Sequence, residues 1–200
     1  LNSSGGSGSV TSGISMGTTS GNALNVVNNS LALTGGTLSV GGGITYTNGV
    51  GTENVSVTLN GGALDMNGHA IGAADAAVTF NAQSGTLRNL SELNGGGVLT
   101  KSTAGVLVVE GTNSHTGGTQ VNDGVFQLGT DAASASLTGS GLVSVVKTGA
   151  TLANAPVLAG DGLIAGAVTV GDVGASSNRG VLALGFGDTA ASNTTLVIQG

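Results

Sequence analysis

Residues 97–129 read GVLTKSTAGVLVVEGTNSHTGGTQVNDGVFQLG. Two runs inside this stretch, Leu107 with Val109 and Val125 to Gln127, read as short strands whose side chains alternate between two faces. Such alternation is the period of a β-strand with one buried face. Each run opens just past a glycine, Gly105 or Gly124. Glycine is the residue that turns a chain through positive φ at no steric cost. The stretch therefore reads as short strands broken by sharp corners.

The same phrase, a small or polar residue, glycine, any residue and then an aliphatic, recurs on both sides. It stands at Ser12-Gly13-Ile14, as GGTLSV at 35–40, GGALDM at 61–66 and SGTLRNL at 84–90. Beyond the opening stretch it returns as SGLVSVV at 140–146, DGLI at 161–164 and RGVLAL at 179–184. With the glycine as anchor the positions are 13, 36, 62, 85, 105, 124, 141, 162 and 180, a mean step near 21 residues. A repeat of that length predicts stacked supersecondary units. Propeller blades and sandwiches need longer units and more aromatic core. A β-helix needs one coil per ~20 residues, with small aliphatic ladders inside it and successive coils ~4.8 Å apart. The expectation is an all-β solenoid of about nine coils of ~21 residues, a rod of roughly 45 Å. It forms one segment over residues 1–200, whose first 50 are rich in Ser, Thr, Gly and Asn. Residues 73–77 (AADAA) favour helix but run into the strand-like Val78-Thr79-Phe80, so no helix is expected there.

Composition narrows the function. The 200 residues include 39 Gly, no Cys, no Trp, one Tyr and one Pro. Disulfides and cysteine-type zinc sites are excluded, and collagen needs a proline-rich three-residue period that is missing. Four Lys/Arg against ten Asp/Glu give a net charge of −6. The cations Arg88, Lys101, Lys147 and Arg179 are far apart in sequence, so no basic nucleic-acid surface is expected. No apolar run approaches the ~20 residues of a membrane-spanning helix. Residues 1–10 (LNSSGGSGSV) lack the pattern of a signal peptide.

Residues 97–129 resemble the autotransporter-associated β-strand repeat, also called the passenger-associated transport repeat. The match runs through Leu99-Thr100-Lys101, Gly105, Leu107, Val109, Gly111, Asn113, Gly117-Gly118-Thr119, Val121, Gly124 and Gly129. Thr103, His115 and Glu110 depart from the pattern, where glycine, tyrosine and a small polar residue are usual. The resemblance extends loosely over about residues 55–200. It implies a right-handed parallel β-helix on a bacterial exterior and a role in export, adhesion or aggregation.

Several motifs mimic chemistry. Residues 13–17 (GISMG) fit a nucleophile elbow, which needs a strand-to-helix turn and a nearby His and acid. Gly160-Asp161-Gly162 and Gly185-Phe186-Gly187 resemble dinucleotide fingerprints but open no helix. Residues 5–9 (GGSGS) resemble a calcium nonapeptide with Ser where Asp must ligate. A glycosidase needs carboxylates about 5–9.5 Å apart. Counted from their anchors, Asp65, Glu92, Glu110, Asp131 and Asp172 fall at offsets that bring only Glu92 and Asp131 into line. Asp65 and His69 read as a solvated acid and a surface histidine. His115 reads as a surface substitution, and Lys101 and Lys147 as solvent-facing charges. No catalytic, cofactor-binding or metal-ligating residue is expected.

These readings combine into a non-enzymatic, extracellular or bacterial outer-surface segment, a rigid β-helical stalk. Two alternatives stand beside it: a subunit stacking head to tail into a filament, and a polysaccharide-active β-helix enzyme. Expected partners are further copies through coil ends or strand edges, or surface ligands such as polysaccharide, without nucleic acid or a membrane span.

Overall fold

A computed structural model describes residues 2–17, 26–130, 132–172, 177–184 and 196–199. In chain order its strands are β1 (Asn2–Val10), β2 (Ile14–Ser15), β3 (Val26–Val40), β4 (Ile44–Thr45), β5 (Thr52–Asp65) and β6 (Thr79–Arg88). Next come β7 (Leu99–Lys101), β8 (Val106–Asn113), β9 (Thr119–Val121), β10 (Val125–Leu128), β11 (Ala135–Leu137) and β12 (Val143–Val145). A 3₁₀ turn at Leu152–Asn154 precedes β13 (Val157–Gly160), β14 (Gly162–Ile164), β15 (Val168–Val170), β16 (Val181–Leu184) and β17 (Leu196–Ile198).

All pairings between these strands are parallel. Eleven strands form the main sheet, ordered β1-β3-β5-β6-β8-β10-β13-β16, with β11 joined to β8 and β14, and β17 to β14. A second sheet of four runs β15-β12-β9-β7, and β2 pairs with β4 alone.

The long strands keep the period of two but slip by one residue at a glycine. In β5 the buried side chains are Val55, Val57 and Leu59, then Leu64. Asn60 and Gly61 between them are both exposed, and Gly61 has φ 107°. The slip turns the strand, so the second half presents its other set of side chains to the interior. Beyond the slips, Leu38, Leu64, Leu87, Val109 and Leu128 sit in register from β3 through β10. All five are buried. Burying each leucine is worth about 1.5–3 kcal/mol, so this column is a main source of stability.

Asparagines close the corners. Asn67 and Asn89 take positive φ, which a short polar side chain tolerates by bonding to nearby backbone. Asn67 Nδ2 donates to Ser39 Oγ (2.8 Å) and the Val40 carbonyl (3.0 Å). Asn113, almost fully buried, accepts the Leu90 N–H at 2.9 Å and donates to the Glu110 carbonyl at 3.0 Å. These contacts satisfy backbone groups that the sheets leave over.

The nine-coil, ~21-residue right-handed parallel β-helix is corrected by this topology. The strands run from 2 to 15 residues and fall into three sheets of very unequal size, none of which closes on itself. Along the main sheet the step between paired residues varies from 19 (Leu107 to Phe126) to 34 (Gly162 to Leu196). The anchor glycines do not mark one position in a repeating coil. Gly85 pairs with Leu107 within the main sheet, whereas Gly141 packs against Gly118 beside the four-stranded sheet. Glycine recurs because several unrelated backbone approaches need it, and that recurrence imitates a period. The chain is an all-parallel, multi-sheet β-protein with unevenly grouped strands. The rigid stalk, the head-to-tail filament and the sugar-active β-helix enzyme were all built on the regular rod, and they fall with it.

Candidate functional site

The four-stranded sheet has one face in the core and one outside. Facing inward are Leu99, Thr119 and Val143 in one row, and Lys101, Val121 and Val145 in the next. The residues between them, Thr100, Gln120, Ser144 and Thr169, form a third row in register. Alternation along a strand puts that third row on the opposite face. Gln120, Ser144 and Thr169 line a cleft of about 830 Å³, together with Asn122, Asp123 and Lys147. Amide and hydroxyl groups thus recur along the cleft at the strand spacing of ~4.8 Å.

The cleft carries a compact charge system. Lys147 Nζ lies 2.9 Å from Asp123 Oδ2, and both side chains are about one-third exposed. The bond from Lys147, with that from the Gly124 N–H, holds the Asp123 carboxyl below its usual range. Lys101 does not face solvent as its sequence suggested. It is fully buried, and its Nζ donates to the Thr103 carbonyl and, at 3.3 Å, to the Asp123 carbonyl. Burial pushes the Lys101 ammonium below its normal range, against the pull of Asp123. An inward position between β7 and the 122–124 corner explains why a cation is kept there: it supplies donors to carbonyls that no strand satisfies.

His115 is also buried rather than superficial. Its Nε2 lies 3.0 Å from Thr119 Oγ1, and Nδ1 has no hydrogen-bond partner among the described residues. Burial lowers its affinity for a proton, and the Glu92 carboxylate and a backbone bond at Gly118 offset this only partly. Burial pushes the Glu92 carboxyl up, but bonds from Thr116 and Leu93 outweigh that and hold it low. His115 therefore folds neutral, and its unfolded form takes up a proton near pH 6.5. Stability is full above that value and falls as pH drops toward the folded value, by up to about 1.4 kcal/mol per pH unit. Urea midpoints between pH 7.5 and 5 should decline in the native chain and stay flatter in His115→Gln. Losses from Glu92 and Asp123 begin only below their unfolded values, roughly pH 4. Equal slopes in the two proteins would refute the assignment.

The structure also aligns charges that anchor counting separates. Asp65, Arg88 and Glu110 stand side by side on β5, β6 and β8. Arg88 Nε meets Glu110 Oε2 at 2.5 Å, and Thr130 Oγ1 donates to Glu110 Oε1 at 3.2 Å. Asp65 Oδ1 accepts the Asn67 N–H and Asn89 Nδ2, both at 2.9 Å. With Arg88 between them, and both Glu110 oxygens and Asp65 Oδ1 engaged, these acids form a structural ladder. Their common register was missed because the offsets from the anchors, +3 and +5, are not equal.

The remaining motifs resolve simply. Ser15 of the elbow-like pentapeptide lies in β2 and pairs with Thr45. Gly160-Asp161-Gly162 joins β13 to β14 directly. Asp131 and Gly185-Phe186-Gly187 lie outside the described residues. Glu92 secures the turn at Thr116 through its side chain. A smaller cleft of about 360 Å³ holds the only tyrosine, Tyr46, with Asn48 and Asp75. Among the described residues no three His, Cys, Asp or Glu converge as metal ligands, and no helix is long and apolar enough to cross a membrane.

No family model matches the chain, and neither a curated protein nor a solved structure does. With the fold already irregular and multi-sheeted, the resemblance of residues 97–129 to the autotransporter-associated repeat is therefore corrected: glycine punctuation and period-two alternation carry it, and any parallel β-protein with tight corners shares those features.

Proposed function

We propose that this protein is a non-enzymatic, extracellular binding module that holds a polysaccharide strand in the cleft over the four-stranded sheet. The observation that carries the reading is the row Gln120, Ser144 and Thr169, in register on the cleft floor. A row of amides and hydroxyls at constant spacing suits a polymer that repeats its own hydroxyls, because each unit meets the same partners. Among the described residues the cleft has no aromatic lining, so affinity comes from many modest hydrogen bonds of about 0.5–1.5 kcal/mol each. A polysaccharide partner also favours a place outside the cell.

The non-catalytic side of the reading rests on the state of the acids. Asp123 is tied to Lys147, and Asp65 and Glu110 are engaged on another sheet. Isothermal titration against neutral and acidic polysaccharides, with assay for released reducing ends, tests both halves. Saturable binding without new ends is expected. Ser144→Leu places a branched apolar side chain on the cleft floor and should weaken binding at least tenfold while leaving the urea midpoint nearly unchanged. Turnover, or unaltered binding by that variant, would overturn the reading.

A further inference from the structure

Four cations serve the whole chain, spread in sequence from residue 88 to 179, yet Lys147 and Arg179 are bridged at one end of this cleft and a third, Lys101, is buried behind the same corner. Lys147 and Arg179 are bridged antiparallel: the Lys147 N–H donates to the Arg179 carbonyl at 3.0 Å, and the Arg179 N–H to the Lys147 carbonyl at 3.2 Å. Residues that exchange both bonds in this way sit with Cα atoms ~5.5 Å apart and side chains on the same face. Lys147 lines the cleft, so Arg179 stands beside its rim. Lys101 lies beneath, with its Nζ on the Asp123 backbone.

Like charges placed directly opposite each other are destabilising. Asp123 compensates Lys147. Arg179 is exposed and, among the described residues, forms no ion pair. Asp172 lies at the same end and accepts from Asn178 Nδ2 at 3.2 Å. On the cleft side Lys147 and Arg179 balance Asp123 and Asp172, and the buried Lys101 adds a third positive charge behind them, in a protein of net charge −6. The acids of the ladder at Asp65 and Glu110 belong to the main sheet.

The geometry points to a carboxylate-bearing polysaccharide, a polyuronate, as the occupant of the cleft, with its carboxylates met by Lys147 and Arg179 and its hydroxyls by Gln120, Ser144 and Thr169. Arginine binds carboxylate through a planar pair of N–H donors, and lysine as a point charge. The inference rests on the proposed polysaccharide-binding function and adds the charge of the ligand to it.

Polygalacturonate and its fully methyl-esterified form share one backbone and differ in carboxylate charge, so titrating the full chain with each separates the two claims. The acid form should bind about tenfold tighter than the ester at low salt, and the gap should narrow as salt rises. Arg179→Gln should lower acid-form affinity several-fold without changing ester binding, Arg179→Lys should restore part of it, and Lys147→Gln should act in the same direction. Equal affinity for both polymers, or an unchanged preference in Arg179→Gln, overturns the inference and leaves polysaccharide binding standing. Failure to bind either polymer, together with every neutral polysaccharide, overturns both.

Discussion

Gly160→Ala is expected to lower stability by about 4 kcal/mol, combining roughly 1–3 kcal/mol of backbone strain with ~1–3 kcal/mol of overpacking. Gly160 closes β13 with φ 108°, and an added Cβ would collide with the Leu128 carbonyl oxygen of the neighbouring strand. That oxygen already accepts the Asp161 N–H at 2.9 Å, so it has no room to retreat. Gly149 provides the control: its φ is 70°, but nothing lies within 4 Å of a Cβ there. Gly149→Ala should lose only about 1–2 kcal/mol, the strain alone. A domain has about 5–15 kcal/mol of stability in total, so the Gly160 variant should show a much lower urea midpoint. Equal losses at the two positions would mean that β10 and β13 are not in the close contact described.

Phe126→Ala should cost about 3–5 kcal/mol, the range for removing a buried aromatic ring from a core that cannot collapse around the space. Phe126 is fully buried on β10, with Leu107 of β8 on one side in register and Leu158 of β13 on the other. Both neighbours belong to backbone ladders, which resist closing the gap. Phe80 on β6 is only partly buried, and Phe80→Ala should cost less than half as much. Chemical denaturation of the two variants with unchanged m-values would settle the comparison. A Phe126 loss no larger than that at Phe80 would contradict the central place given to that ring.

Local structure was easier to read from the residues than the assembly. The runs at Leu107 with Val109 and at 125–127 do become strands; in the first, one buried face keeps the period of two, whereas in the second Phe126, Gln127 and Leu128 are all buried. Partnership depends on which segments meet after the loops are closed, and loop length barely constrains that. Phe126 and Leu158 pair across 32 residues that hold β11, β12 and the 3₁₀ turn, so the anchor at Gly141 was counted in the wrong sheet. The same limit hid the candidate site. Lys147 and Arg179 look remote in sequence and face each other in space. Lys101 carried no mark of burial, since a polar residue at an inward strand position differs from an outward one only by its neighbours, and His115 lies in the connection between β8 and β9, where no alternation applies.

The uniformly parallel pairing has a kinetic consequence. The shortest separation across any ladder between the described strands is 19 residues, between β8 and β10. Among the described strands no hairpin is available to nucleate the sheets, so the first ladder must form by closing a long, disordered loop before any hydrogen bond rewards it. Refolding should therefore be slow for a chain of this length, and once a single ladder exists, its open edge becomes the template on which the next segment zips.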